Sequence, residues 1–320
     1  MEYSVSGTFN HTAEIAASAY PGLRLVTVAK VQKPTPQADA LLDTYGWGVS
    51  SPGTTQDSTH PTTVFGVPFS ATCYYFGREL HLALGKSVPI GLLSSSWGGC
   101  AIEPWMRAGA LAKCGGGQTP GQNGGMFNAM MSPFQRLRFA GMVWDQGEAN
   151  TNDPPKYSCL FPAAIRDWRS FFSEPSLPFL FVQIGPSSSG RLTDVYGNRN
   201  DSYGMPLLEL RQSQLQALPL PNVGMATAVD LGDPGCKAGQ GGCMGLADDN
   251  GRFGGHPRVK QPVGTRLASQ ALRIIYGRRT APELEAPVVG AATLSGSTLT
   301  VALENVNQRG LRLRNTTMCS

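Results

Sequence analysis

The side chains of this chain that can do chemistry are few enough to weigh singly. Four histidines occur, His11, His60, His81 and His256. His11 falls in a sequon, His60 in a Ser/Thr/Pro stretch and His81 between two leucines, so these three read as loop or packed positions. His256 stands in Gly254-Gly255-His256-Pro257, after an acid-rich loop and ahead of a helical stretch, where an imidazole suits the general base for a hydroxyl nucleophile. Such a base needs an acceptor on its other ring nitrogen. Asp230, Asp233, Asp248 and Asp249 all precede it, and their types alone do not rank them; Asp233 is the expectation taken forward.

For the nucleophile, Ser94-x-Ser96-x-Gly98 after an apolar run is close to the G-x-S-x-G elbow, with Ser94 in place of the first glycine. Gly98-Gly99 equally suit backbone N–H donors facing an oxyanion formed on another nucleophile, and the amide of Gln146 or Asn150 suits a second donor. Glu103 and Glu148 are candidates to face a polar sugar.

These residues must be held by a frame. Apolar runs at Leu23–Val28, Ile90–Leu93, Ala140–Trp144, Phe179–Ile184 and Val223–Val229 suit buried strands. Between them, Phe69, Cys73, Phe76 and Leu80, and later Val263, Leu267, Ala271 and Ile274, recur at helical spacing. Phe127–Leu137, Phe161–Phe172 and Leu207–Leu215 also read as helices. Alternation of this kind predicts an α/β fold whose mainly parallel sheet is covered on both faces, with function on the loops after the strands. Those loops carry Ser94 to Gly99, Asp145 to Asn150 and Asp230 to Asp233. Beyond Gly277 the alternation in Val288–Ala292 and Thr298–Leu303 predicts a β-rich segment.

Composition narrows the function classes. With 320 residues, 41% hydrophobic and 15% charged, the chain can bury a large core, and 39 glycines with 24 prolines indicate many turns. The net charge of +4 is scattered, apart from Arg309, Arg312 and Arg314, so no basic face for nucleic acid is expected. No apolar run is long enough to span a membrane. None of the seven cysteines has zinc-site spacing; Cys236 and Cys243 share a glycine-rich loop and are expected to pair. Sequons at Asn10, Asn200 and Asn315 also point to a secretory setting, although Met1-Glu2-Tyr3-Ser4 lacks the features of a signal peptide.

Four blocks resemble the sialate O-acetylesterases in order and spacing. They are Phe69 to Leu80, Ser96-Trp97-Gly98-Gly99 with Ile102-Glu103-Pro104-Trp105, Trp144-Asp145-Gln146-Gly147-Glu148-Ala149-Asn150, and His256-Pro257-Arg258 with Lys260-Gln261. Phe127-Asn128-Ala129-Met130 and Asp167-Trp168-Arg169 agree, and the likeness runs from Met1 to Gly277. The resemblance implies a flavodoxin-like, three-layer α/β/α sandwich of the SGNH hydrolase type, which removes acetyl groups from sugar hydroxyls with a serine, a histidine and usually an aspartate. By position it makes His256 the base, Gly98 or Gly99 the backbone oxyanion donor and Gln146 the side-chain donor. It implies an O-acetylated sugar as substrate and no cofactor, metal, nucleic-acid or membrane partner. A secreted or lysosomal place follows for the full-length form.

The family's nucleophile sits in a Gly-Gln-Ser-Asn-Met motif after the first strand, whereas Met1-Glu2-Tyr3-Ser4-Val5 resembles that motif's continuation. Residues 1–277 are therefore expected to form the esterase domain without its first strand and serine, and 278–320 the start of a truncated β-rich segment. Two departures stand out: Asp145 replaces the family's aromatic residue, and Gly235 to Gly245 form an insertion ahead of His256. The alternatives are a carbohydrate-binding remnant without catalysis, and an esterase that uses Ser96. Gly98, Gln146 and His256 are expected to converge at one sheet edge.

Overall fold

In the computed structural model, which describes residues 2–43, 46–55, 69–115, 124–186, 204–232, 257–278 and 288–304, the apolar runs become strands and the periodic stretches become the helices that cover them. The elements are α1 (His11–Ala16), β1 (Tyr20–Thr27), β2 (Gly48–Ser50), α2 (Pro52–Thr55), α3 (Ala71–Ala83) and β3 (Ile90–Ser94). After these come α4 (Ala108–Ala112), β4 (Met142–Trp144), α5 (Pro154–Phe171), β5 (Phe179–Gln183), α6 (Gly204–Leu215), β6 (Val223–Thr227), α7 (Gln261–Ile274), β7 (Val288–Ser295) and β8 (Thr298–Glu304).

Two half-sheets result. One has the order β2-β1-β3, the other β4-β5-β6. β1 runs parallel to β3 with Leu23 opposite Ile90 and Thr27 opposite Ser94, and β2 closes the outer edge antiparallel. β4, β5 and β6 are all parallel, with Met142 opposite Phe179 and Phe179 opposite Val223. Both faces are covered, which is why Phe179, Leu180, Phe181 and Val182 are buried without alternation. On one face α3 and α7 pack Leu80, Leu84, Val263 and Leu267 against Leu180, Val182 and Ala226, with Ile90 of one half-sheet and Val143 of the other joining the same cluster. On the opposite face Tyr157, Phe161, Ile165 and Trp168 of α5 and Leu210 of α6 meet Trp144, Phe179 and Phe181, and Leu93 joins them. The half-sheets therefore share one layer of a three-layer sandwich. Among the described residues β3 and β4 each pair on one side only, which leaves two inner edges with unpaired backbone groups.

Local chemistry sets the helix limits. The Ser70 hydroxyl caps α3 by accepting from the Cys73 N–H at 3.2 Å, and Asp153 caps α5 by accepting from Lys156 N–H at 3.1 Å ahead of Pro154 and Pro155. Close approach of α3 and α7 depends on Gly264, where a Cβ would lie 2.4 Å from Tyr75 Cβ and 2.5 Å from its carbonyl carbon. The segment Phe127–Leu137, expected to be an α-helix, is instead a π turn, Phe127–Met131, followed by a 3-10 turn, Ser132–Phe134. Pro133 has no N–H to continue the ladder, and the Ser132 hydroxyl bonds Asn128 O at 2.6 Å and Gln37 O at 3.0 Å instead.

A disulfide joins Cys114, beyond α4, to Cys159 in α5, a pairing that the cysteine spacing did not single out. Closing a loop of 45 residues contributes about 4 kcal/mol in the chain-entropy model. The expected Cys236–Cys243 pair lies outside the described residues, as do His60 and the sequons at Asn200 and Asn315. β7 and β8 form an antiparallel hairpin around Gly296, whose φ of +57° favours glycine. No helix among the described residues is long and apolar enough to cross a membrane.

Candidate active site

The carboxyl ends of β3 and β4 bring two loops together, and a cleft of about 120 Å³ opens between them. Its lining includes Ser95, Ser96, Trp97, Gly98 and Gly99 from the first loop and Asp145, Gln146 and Glu148 from the second, with Glu2, Tyr3 and Lys260 across from them. Gly99 needs its glycine, since its φ is +73°. At Gly147 a Cβ would come within 2.7 Å of the Leu210 δ-methyl, so the glycine lets this loop pack closely on α6.

The two loops are tied by buried amides. Asn150, 5% exposed, accepts on Oδ1 from Ile102 N–H at 2.9 Å and from Gln146 Nε2 at 2.7 Å, and its Nδ2 donates to Glu103 Oε2 at 2.9 Å. Gln146 Nε2 also donates to Cys100 O at 3.2 Å, which uses both of its N–H groups. Gln146 Oε1 accepts from the Tyr157 hydroxyl at 3.1 Å, and burial holds that phenol protonated by pushing its pKa up. Gln146 thus ties the two loops together. Glu103, expected near the sugar, is absent from the lining; it accepts from Asn150 and lies 3.8 Å from Lys156.

The Gly98 N–H meets a carboxylate. Glu2, 8% exposed, accepts from it and also pairs with Lys30. Burial pushes the Lys30 ammonium below its usual range, against the upward pull of Asp43 and Cys100. The segment carrying Glu2 is fixed in turn: Ala71 N–H donates to Tyr3 O at 2.7 Å, Val5 N–H to Phe69 O at 3.3 Å, and Phe9 N–H to Arg258 O at 3.0 Å.

His256, Asp233, Asp248 and Asp249 lie outside the described residues. Their flanks are described. Pro257 stands beside Gly185 at the carboxyl end of β5, and Lys260 lines the cleft with its ammonium 5.3 Å from the centre of the Tyr3 ring. Asp230, another orienting candidate, sits in the fork of Arg266 at 2.6 and 2.7 Å. His81 is a packed residue, 2% exposed, bonded through Nδ1 to Val88 O at 3.0 Å. Ser96 lines the cleft with its hydroxyl 3.4 Å from that of Ser94. Among the described residues only Asn10, Lys86, Ser173 and Asn222 combine a side chain with positive φ, so Ser96 does not stand on the strained turn of a nucleophile elbow.

Helices on both faces of a parallel sheet define an α/β fold, and the polar cleft lies beyond the strands' carboxyl ends, where such folds commonly place their ligand sites. The family model described as carbohydrate esterase, sialic acid-specific acetylesterase matches residues 26–235, and the chain belongs to that family. It is similar to the sialate O-acetylesterase of Homo sapiens, 31% identical over 303 residues covering 87% of this chain and 52% of that protein. The Mus musculus sialate O-acetylesterase is 29% identical over 330 residues, covering 87% and 55%. A carbohydrate acetylesterase from Xanthomonas citri, solved by crystallography, superposes with a TM-score of 0.73 at 29% identity over 95% of this chain and 60% of that one. The chain spans about half the length of the curated relatives it matches.

Proposed function

We propose that the cleft is the ester site of an O-acetylesterase acting on an acetylated sugar, as the sialate O-acetylesterases are named for doing. His256 is the general base, oriented by Asp233, and the backbone N–H groups of Gly98 and Gly99 receive the oxyanion with help from Gln146. The nucleophile is a serine at the carboxyl end of a strand that fills the gap between β3 and β4. Its hydroxyl adds to the acetyl carbonyl while His256 takes the proton, and the sugar oxygen leaves with that proton. Water then releases acetate from the serine by the same route in reverse.

One observation carries this reading: among the described residues β3 and β4 each pair on one side only, and the loops leaving their ends place Gly98 and Gln146 in the lining of one cleft. A parallel strand between them would deliver its last residues into that cleft. The anionic Glu2 on Gly98 N–H supports this N–H as an anion donor, and the disulfide supports an oxidising, secretory or lysosomal place.

The test is p-nitrophenyl acetate turnover by this chain, by a version extended at its N-terminus with a strand ending in Gly-Gln-Ser-Asn, and by Ser96→Ala and His256→Ala. The extended chain should hydrolyse the ester, and its serine and His256 variants should each lose about 10^3-fold or more. Activity of the unextended chain that vanishes in Ser96→Ala would favour the elbow serine. Turnover in the extended chain that survives His256→Ala would remove the base.

A further inference from the structure

We propose, resting on the ester-site reading of the cleft, that Lys260 is a specificity-determining residue whose ammonium takes a carboxylate carried by the acetylated sugar. Lys260 belongs to the same lining as Gly98 and Gln146 and as the rings of Trp97, Trp105 and Trp144. Aromatic walls with a few fixed polar groups are the usual make-up of a small-molecule site, in which the polar groups set orientation and specificity. A sugar whose ester lies at the oxyanion donors therefore shares its cleft with this charge.

The half-buried Lys260 is held at both ends. Its N–H donates to Arg258 O at 3.0 Å, and its carbonyl accepts from Gly264 N–H at 3.2 Å in the first turn of α7. At the far end the ammonium stands 5.3 Å from the centre of the Tyr3 ring. That ring is itself fixed, 3% exposed with its hydroxyl donating to Gly7 O at 2.6 Å. A ring face attracts the ammonium's charge without accepting along all three of its N–H bonds, so the contact positions the charge while an anion can still bind it. Lysine offers a compact point charge, which meets a carboxylate oxygen at about 2.7–2.9 Å.

Two ligands that differ chiefly in charge test this: N-acetylneuraminate and its methyl ester, titrated calorimetrically into the chain and its Lys260→Gln and Lys260→Arg variants. Every other charge of the cleft acts on parent and variants alike, so the quantity to read is the change in the acid-to-ester affinity ratio on substitution. Opposite unit charges about 4 Å apart in a half-wet cleft are worth about tenfold in affinity. Lys260→Gln should therefore lower the ratio about tenfold at about 0.02 M salt, and Lys260→Arg, which keeps the charge, should restore most of it. Screening should shrink the loss severalfold at about 0.3 M salt. A ratio unmoved by Lys260→Gln, or both ligands weakened equally as a merely structural lysine would have it, would overturn the proposal. Binding of neither ligand while the extended chain hydrolyses p-nitrophenyl acetate would overturn this inference alone, and binding of neither with no hydrolysis would sink the esterase reading with it.

Discussion

Replacing Asn150 by alanine is the sharpest perturbation of the loop tie. The side chain is 5% exposed and serves three partners, namely Ile102 N–H, Gln146 Nε2 and Glu103 Oε2, at 2.7 to 2.9 Å. Truncation strands the Ile102 N–H in a place where Ile102 is itself wholly buried, and a stranded buried donor costs about 1–3 kcal/mol. Gln146 keeps Cys100 as a partner and Glu103 keeps Lys156, so these two losses are smaller, about 0.5–1.5 kcal/mol each. The expected total is about 2–6 kcal/mol, a large share of the roughly 5–15 kcal/mol that holds a domain together. Urea unfolding of both proteins measures it, and Asn150→Asp refines it. Aspartate keeps an acceptor for Ile102 and Gln146 but faces Glu103 with like charge where Nδ2 donated, which raises the pair's pKa in the fold. A raised folded-state pKa means the penalty is absent below about pH 4 and grows as pH rises toward neutrality. Asn150→Ala within about 1 kcal/mol of the parent, or Asn150→Asp with no pH dependence of its own, would refute the reasoning.

Two further outcomes are expected. Gly264→Ala places a methyl group 2.4 Å from Tyr75 Cβ and against its backbone, so α3 and α7 must separate at a cost of about 1–3 kcal/mol; an unchanged denaturation midpoint would show that the crossing is looser than described. Burial pushes the Cys73 thiol from 9.0 to about 12, so the unfolded chain ionises first and stability falls as pH rises from about 9 toward 12, by about 1.4 kcal/mol at pH 10. Cys73→Ala should lose stability at neutral pH yet show a shallower decline between pH 8 and about 10 in urea melts, and parallel declines would remove the assignment.

The strands at Ile90, Phe179 and Val223 were legible because a buried parallel strand has no face to give to water, so its apolar run is unbroken. The helix through Phe69 to Leu80 was legible because its apolar face repeats with the helical turn, and Gly98, Gln146 and Asp145 could be marked as loop residues because they follow such strands. Phe127 to Leu137 misled because its apolar period ignores one hydroxyl and one proline: Ser132 bonds the Asn128 carbonyl that an α-helix would have used, and Pro133 has no N–H to continue the ladder. The Cys114–Cys159 bond was not legible, since 45 residues separate partners that only the packing of α4 on α5 brings together. Residue types fixed which groups are able to donate, accept or carry charge. Tertiary structure decided that Gln146 spends both its N–H groups on Cys100 and Asn150, that Glu2 sits on Gly98 N–H, and that Glu103 stands behind the cleft wall. The reason is that strand and helix patterns arise from local periodicity, whereas the partner of a polar group is whichever distant segment the packed sheet delivers within about 3 Å.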